Sequence, residues 1–186
     1  TRSYGDWSSD VCSSDLVFTD GTSKVVTTEK DYSKADNLKY DVNKDGKFTE
    51  ADNTAWSTTA GVADGQKEPV IVTYKVDNDG VYTLKAVDTA KSSYKVASTA
   101  LNLKNDKASI NVAGTAVTAN SKTLFVVQDT EDTDEYTAYT GIKNAPSITA
   151  ASGKDRQVDV YYFCKNGSMV TVMFIMPESK VDVEDD

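Results

Sequence analysis

The sequence predicts a mainly β protein, a small β-barrel or sandwich interrupted by a short loop-helix insert. Three observations carry this expectation. From residue 70 onward, apolar residues recur with a period of two in one segment after another, the spacing that turns one face of a strand toward a core. Turn signals separate those segments, notably Asp77-Asn78-Asp79-Gly80 and Asn166-Gly167. Asn-Gly suits a tight hairpin because both residues tolerate positive φ. The chain is also rich in Thr, Val and Tyr, with 10 Tyr against 3 Pro, a mixture that fits a pleated, half-buried surface.

The predicted strands follow in order. Residues 24–28 give the first. Over 70–76, Val70, Val72, Tyr74 and Val76 share a face; over 81–87, Tyr82, Leu84 and Ala86 do. Further strands are predicted over 108–112, 124–128 and 136–140. A last hairpin runs over 158–164, turns at Asn166-Gly167 and returns over 169–176. Both faces of 169–176 are largely apolar, so this strand belongs at the centre of a sheet or inside a closed barrel. Six to eight short strands at this spacing read as a barrel or sandwich.

Residues 36–67 break the pattern. They are polar, contain several alanines, and centre on Asp41-Val42-Asn43-Lys44-Asp45-Gly46-Lys47-Phe48-Thr49-Glu50-Ala51-Asp52. This is an EF-hand-like calcium loop of the form D-x-N-x-D-G-x-x-x-x-x-D. Calcium is a hard cation that takes several oxygens, and such a loop supplies them from alternate positions and from its last residue. The ligands would be Asp41, Asn43, Asp45, the Lys47 carbonyl, Thr49 directly or through water, and Asp52. Gly46 falls where the loop turns sharply, and Phe48 is the apolar plug. Asp52 is shorter than the usual Glu and would give one oxygen, which weakens binding. Extracellular calcium is plentiful enough that a Kd of about 10⁻⁴–10⁻³ M would suffice. The stretch from Thr49 to Trp56 predicts a short helix leaving the loop, anchored by Trp56 and broken by Gly61 and Gly65.

Composition excludes other chemistries. A net charge of −9 without a basic cluster is a poor match for nucleic acid. No apolar run approaches the roughly 20 residues that span a bilayer. The chain has no His, which removes the commonest general base, and the sequence predicts no enzyme. Asp77–Gly80 reads as a solvated turn. Asp129, Glu131, Asp132, Asp134 and Glu135 read as a solvated acidic loop. Cys164 lies mid-strand with no His to activate it and reads as a buried structural thiol. Tyr136, Tyr139, Tyr161 and Tyr162 read as sheet packing, with a sugar-stacking platform as the alternative.

The start of the chain is of a different kind. Asp6-Trp7-Ser8-Ser9-Asp10-Val11-Cys12-Ser13-Ser14-Asp15-Leu16 matches the translation of a sequencing-library adapter. Residues 1–16 are therefore expected to be a disordered artefact, with the natural N-terminus beyond this sequence. The expected organisation is then 17–35 as the first strand of the β-module, 36–67 as the calcium-loop insert, 68–177 as the β-module and 178–186 as an acidic linker or tail.

Two resemblances bear on function. The loop 41–52 resembles the calcium loop of dockerins. Dockerins carry two such loops; a second copy aligned on Asp77, Asp79 and Gly80 would put Lys75 at position 1 and Ala86 at position 12, and neither supplies a side-chain oxygen. The stretches Val72-Thr73-Tyr74-Lys75-Val76-Asp77-Asn78-Asp79-Gly80-Val81-Tyr82-Thr83-Leu84 and Tyr136-Thr137-Ala138-Tyr139-Thr140-Gly141-Ile142-Lys143-Asn144-Ala145-Pro146-Ser147-Ile148 resemble repeated β segments in large surface proteins of Gram-positive anaerobes. Those proteins carry S-layer homology domains elsewhere; none is present here. The resemblance implies a non-catalytic structural module of an extracellular bacterial cell-surface or S-layer-type protein, located at the cell wall. Its partners would be other modules of the same surface protein or lattice. The alternative is a module binding a glycan or a cohesin-type protein.

Overall fold

Strands account for the architecture. The structure, a computed structural model, describes residues 12–32, 35–38, 71–87, 93–130, 132, 135–149, 158–176 and 183–184. It is mainly β, as expected, and divides into two compact units.

The first unit comprises residues 1–16 and 24–87. Its sheet holds β1 (Cys12–Val17), β2 (Ser23–Thr28), β3 (Val72–Val76) and β4 (Tyr82–Ala86) in the order β1-β2-β4-β3. β3 and β4 form the expected hairpin, with Tyr74 opposite Leu84 and Val76 opposite Tyr82. Tyr82, Leu84 and Ala86 are buried, while Thr83 and Lys85 between them are exposed. That alternation is the period-two pattern realised. The Tyr74 and Tyr82 rings lie 5.5 Å apart, tilted by 35°, and the Lys24 ammonium stands 5.3 Å from the Tyr82 ring centre. A short helix, α1 (Ala35–Leu38), packs against β4.

The second unit comprises residues 17–23 and 88–186. It contains β5 (Ser93–Thr99), β6 (Leu101–Leu103), β7 (Ser109–Val112), β8 (Thr115–Thr118), β9 (Leu124–Gln128), β10 (Tyr136–Thr140), a 3₁₀ turn over Ile142–Asn144, β11 (Ser147–Thr149), β12 (Val158–Lys165), β13 (Met169–Met176) and β14 (Val183–Glu184). The strand order is β10-β9-β13-β8-β7-β6-β11-β14, and β12 joins β13 to β5. The sheet curls into a half-barrel. β13 is central, as its two apolar faces predict. It pairs antiparallel with β12 along one edge, and parallel with β8 and β9 along the other. The core includes Leu103, Ile110, Phe125, Ile148, Val160, Tyr162, Cys164, Met173 and Ile175.

Two glycines allow close approaches within this unit. Gly21, at φ 87°, brings the 17–23 loop against β10; a Cβ there would stand 2.9 Å from the Tyr136 carbonyl oxygen. The Asp129 N–H donates to the Glu135 carbonyl, so in this ladder Thr137 and Tyr139 bond to β9 while Tyr136 and Ala138 turn their backbone groups outward. The loop thus covers an outer strand edge. Gly141, at φ 85°, is pressed on the backbone of Ser121 in the same way. Beside it, Thr123 is buried; its hydroxyl accepts from the Asn120 N–H and donates to the Val170 carbonyl on β13 at 2.8 Å.

Several expectations need correction. Fourteen strands are described, against six to eight expected. β5, β6, β8 and β11 went unrecognised because they are short or weakly alternating. The β7–β8 hairpin turns on Ala113 (φ 51°) and Gly114 (φ 83°), and Ala is not a residue that announces positive φ. The expected 68–177 module is divided at 87/88, because β3 and β4 pair with β2 rather than with the later strands. Residues 12–16 of the segment set aside as disordered lie in β1 beside β2; residues 1–11 are outside the described residues. The Asn166-Gly167 turn has positive φ at both residues, as expected, with Ser168 also in the connection. The only α-helix among the described residues is α1, ahead of residues 41–52; the helix expected from Thr49 to Trp56 lies outside the described residues. No helix among the described residues is long and apolar enough to cross a membrane.

Candidate functional site

The predicted calcium ligands Asp41, Asn43, Asp45, Lys47, Thr49 and Asp52, with Phe48 and Trp56, all lie outside the described residues. What the structure does give is the frame from which that stretch departs and to which it returns. Both ends are attached to β4.

The departing end is organised by Tyr32. β2 pairs in parallel with β4 at Thr28 and Tyr82, and the Glu29 N–H donates to the Tyr82 carbonyl at 3.1 Å. β2 then stops, which would leave the next inward-pointing amide of β4 without an acceptor. The Tyr32 hydroxyl takes its place: the Leu84 N–H donates to it at 3.0 Å, and the hydroxyl donates to Glu29 Oε1 at 3.2 Å. Tyr32 is buried, and burial, first of all, raises its phenol pKa above the ordinary value. Asn37 Nδ2 donates to the Asp31 carbonyl at 2.8 Å, and Leu38 is buried where α1 meets β4. The chain thus leaves for Asp41 from a fixed point.

The returning end is a ladder. The Val87 N–H donates to the Ile71 carbonyl at 3.0 Å, and Val72 pairs with Ala86. The stretch 39–70 is therefore a closed excursion from one sheet rather than a linker between the two units. Tyr32 carries no signal of this role in the sequence. A lone Tyr in a polar run gives no signal, because its partner is distant in the chain.

Tyr32→Phe tests this anchor. It keeps the ring and leaves the Leu84 amide buried without its acceptor, at a cost of about 1–3 kcal/mol. Urea unfolding of the two proteins measures it. A difference within about 0.5 kcal/mol, the range of surface changes, would mean the hydroxyl contributes nothing.

The other clusters serve the fold. Asp77 Oδ1 accepts from the Asp79 and Val81 N–H groups, both at 2.9 Å, so that carboxylate closes the β3–β4 turn. Asp129 Oδ1 accepts from the Asp132 N–H at 2.9 Å, and Glu131 and Asp134 are outside the described residues. Among the described residues no group of three or more His, Cys, Asp or Glu could hold a metal. Cys164 is wholly buried. The four tyrosines considered as a sugar platform do not lie on one face: Tyr139 and Tyr162 align on one side of the sheet, Tyr136 and Tyr161 on the other. Tyr161 and Tyr162 are both buried.

No protein family, curated protein or solved structure that was compared matches the chain.

Proposed function

We propose that the chain is a non-catalytic structural module of an extracellular bacterial cell-surface protein of the S-layer type, stabilised by one calcium ion. The observation that carries the reading is the spacing of Asp41, Asn43, Asp45, Gly46, Thr49 and Asp52, which puts an oxygen-bearing side chain at positions 1, 3, 5, 9 and 12 of a calcium loop, with Asp in place of the usual Glu at the last, and Gly at the turn. The closed excursion from β4 supports it. A polar stretch with few apolar residues cannot offset its ordering entropy by burial. Asp41, Asp45 and Asp52 would repel one another without a cation between them. An ion bound there would stiffen the first unit from outside its core. The clamp would act at the cell surface, where calcium is abundant, and would favour contacts with other modules of the same lattice. A glycan- or cohesin-type ligand is the alternative partner.

Calcium titration tests the reading. In a Trp7→Phe chain, Trp56 is the sole tryptophan and its fluorescence reports on the loop. Saturation at about 100 times the Kd should add roughly 2.7 kcal/mol to the unit that unfolds with the loop. Asp41→Ala should abolish the response. If no signal appears below about 10 mM, beyond the weakest extracellular sites, or if Asp41→Ala binds as well as the parent, the loop is an ordinary turn.

A further inference from the structure

We infer that the 17–23 loop is a strap across the outer edge of β10, and that it keeps this edge from accepting β10 of a second copy of this chain. β10 ends the strand order of its sheet. Its register with β9 turns the backbone groups of Tyr136, Ala138 and Thr140 outward. The surroundings of Gly21 agree independently. A Cβ there would meet the Tyr136 carbonyl oxygen at 2.9 Å and the Ala138 nitrogen at 3.2 Å. Both are outward groups, so the loop lies where a further strand would bond.

The loop is closed by its own bonds. The Phe18 N–H donates to the Thr22 carbonyl at 2.8 Å, and the Gly21 N–H to the Phe18 carbonyl at 3.0 Å. Asp20 Oδ1 accepts from the N–H and the hydroxyl of Thr22, at 2.9 and 2.7 Å, a side chain standing in for a backbone turn. The amides of Phe18, Gly21 and Thr22 are thereby used inside the turn. The loop covers β10 without offering those groups as a new edge. β10 needs such a cover, because its residues read Tyr-Thr-Ala-Tyr-Thr. They include no charge and no proline, the devices by which a strand discourages pairing on its own. An uncovered β10 would align antiparallel with its copy about Ala138, where the smallest side chain meets itself and Tyr136 falls opposite Thr140. This inference does not rest on the calcium loop, and either can fail alone.

Two glycine substitutions separate the contact from backbone strain. Gly21 and Gly114 share nearly the same φ, 87° and 83°, yet nothing lies within 4 Å of a Cβ at Gly114. Gly21→Ala should speed hydrogen exchange at the Tyr136 and Ala138 amides at least about tenfold. It should also make the full chain self-associate in sedimentation as concentration rises. Gly114→Ala, with the strain and without the contact, should do neither. Asp20→Ala loosens the turn without adding an atom at β10, and should act as Gly21→Ala does, more weakly. It carries the test if Gly21→Ala does not fold, which thermal unfolding at low concentration checks. Parent amides at Tyr136 and Ala138 that exchange as fast as in an unstructured peptide overturn the inference. So does a folded Gly21→Ala chain that exchanges like the parent, or one that opens at β10 and stays monomeric to millimolar concentration. Equal effects from Gly114→Ala would also overturn it.

Discussion

Phe125→Ala is expected to destabilise the second unit by about 3–5 kcal/mol. Phe125 is wholly buried on β9. Its strand is held between β10, where it faces Tyr139, and β13, where it faces Met173. Neighbours bonded into a sheet on both sides cannot collapse into the space an alanine leaves, so the cost includes most of the cavity as well as the lost transfer energy. Calorimetry should show a fall in Tm of roughly 10 °C or more for the transition that carries this unit. Phe125→Leu, which retains most of the volume, should lose far less. If alanine costs under about 1 kcal/mol, Phe125 does not hold the core together.

Alkaline pH is expected to remove roughly 2–3 kcal/mol of stability through Cys164. Burial pushes this thiol from an ordinary 9.0 up to about 11, because a thiolate in the sheet core has lost its water. The native state therefore keeps its proton while the unfolded chain releases one. The contribution is full below about pH 9 and is lost as pH rises through 9 to 11. Tyr32 acts in the same direction above pH 10, since its phenol is also raised from 10.0. Urea unfolding at successive pH values measures the slope, and Cys164→Ala should flatten it between 9 and 10. A thiol reagent gives an independent check. The half-exposed Cys12 should react in the native protein and Cys164 only after unfolding. Rapid native labelling at both positions would contradict the buried thiol.

The sequence by itself determined the fold class, the identity of most long strands and the central place of β13. These follow from local physics. A strand with one buried face must alternate, as 82–86 does, and a strand buried on both faces must be apolar throughout, as 169–176 nearly is. Residues 124–128, 136–140 and 169–176 were legible to the residue, and the Asn166-Gly167 turn could be read from its tolerance of positive φ. The short strands β6, β8 and β11 were not legible, because three or four residues carry too little periodicity to stand out. Their membership depends on the neighbours that pair with them. The calcium loop expected over residues 41–52 lies outside the described residues; its reading rests on the spacing of the oxygen-bearing residues within one short stretch. Tertiary structure alone decided which strands share a sheet. The 68–177 stretch looked continuous, yet β3 and β4 joined β2, because alternation reveals a strand's face and not its partner across the ladder. It also decided that Tyr32 would satisfy Leu84 where β2 ends, and that Gly21 would close on Tyr136. Each of those contacts joins residues far apart in the chain, and only the folded backbone brings donor and acceptor together.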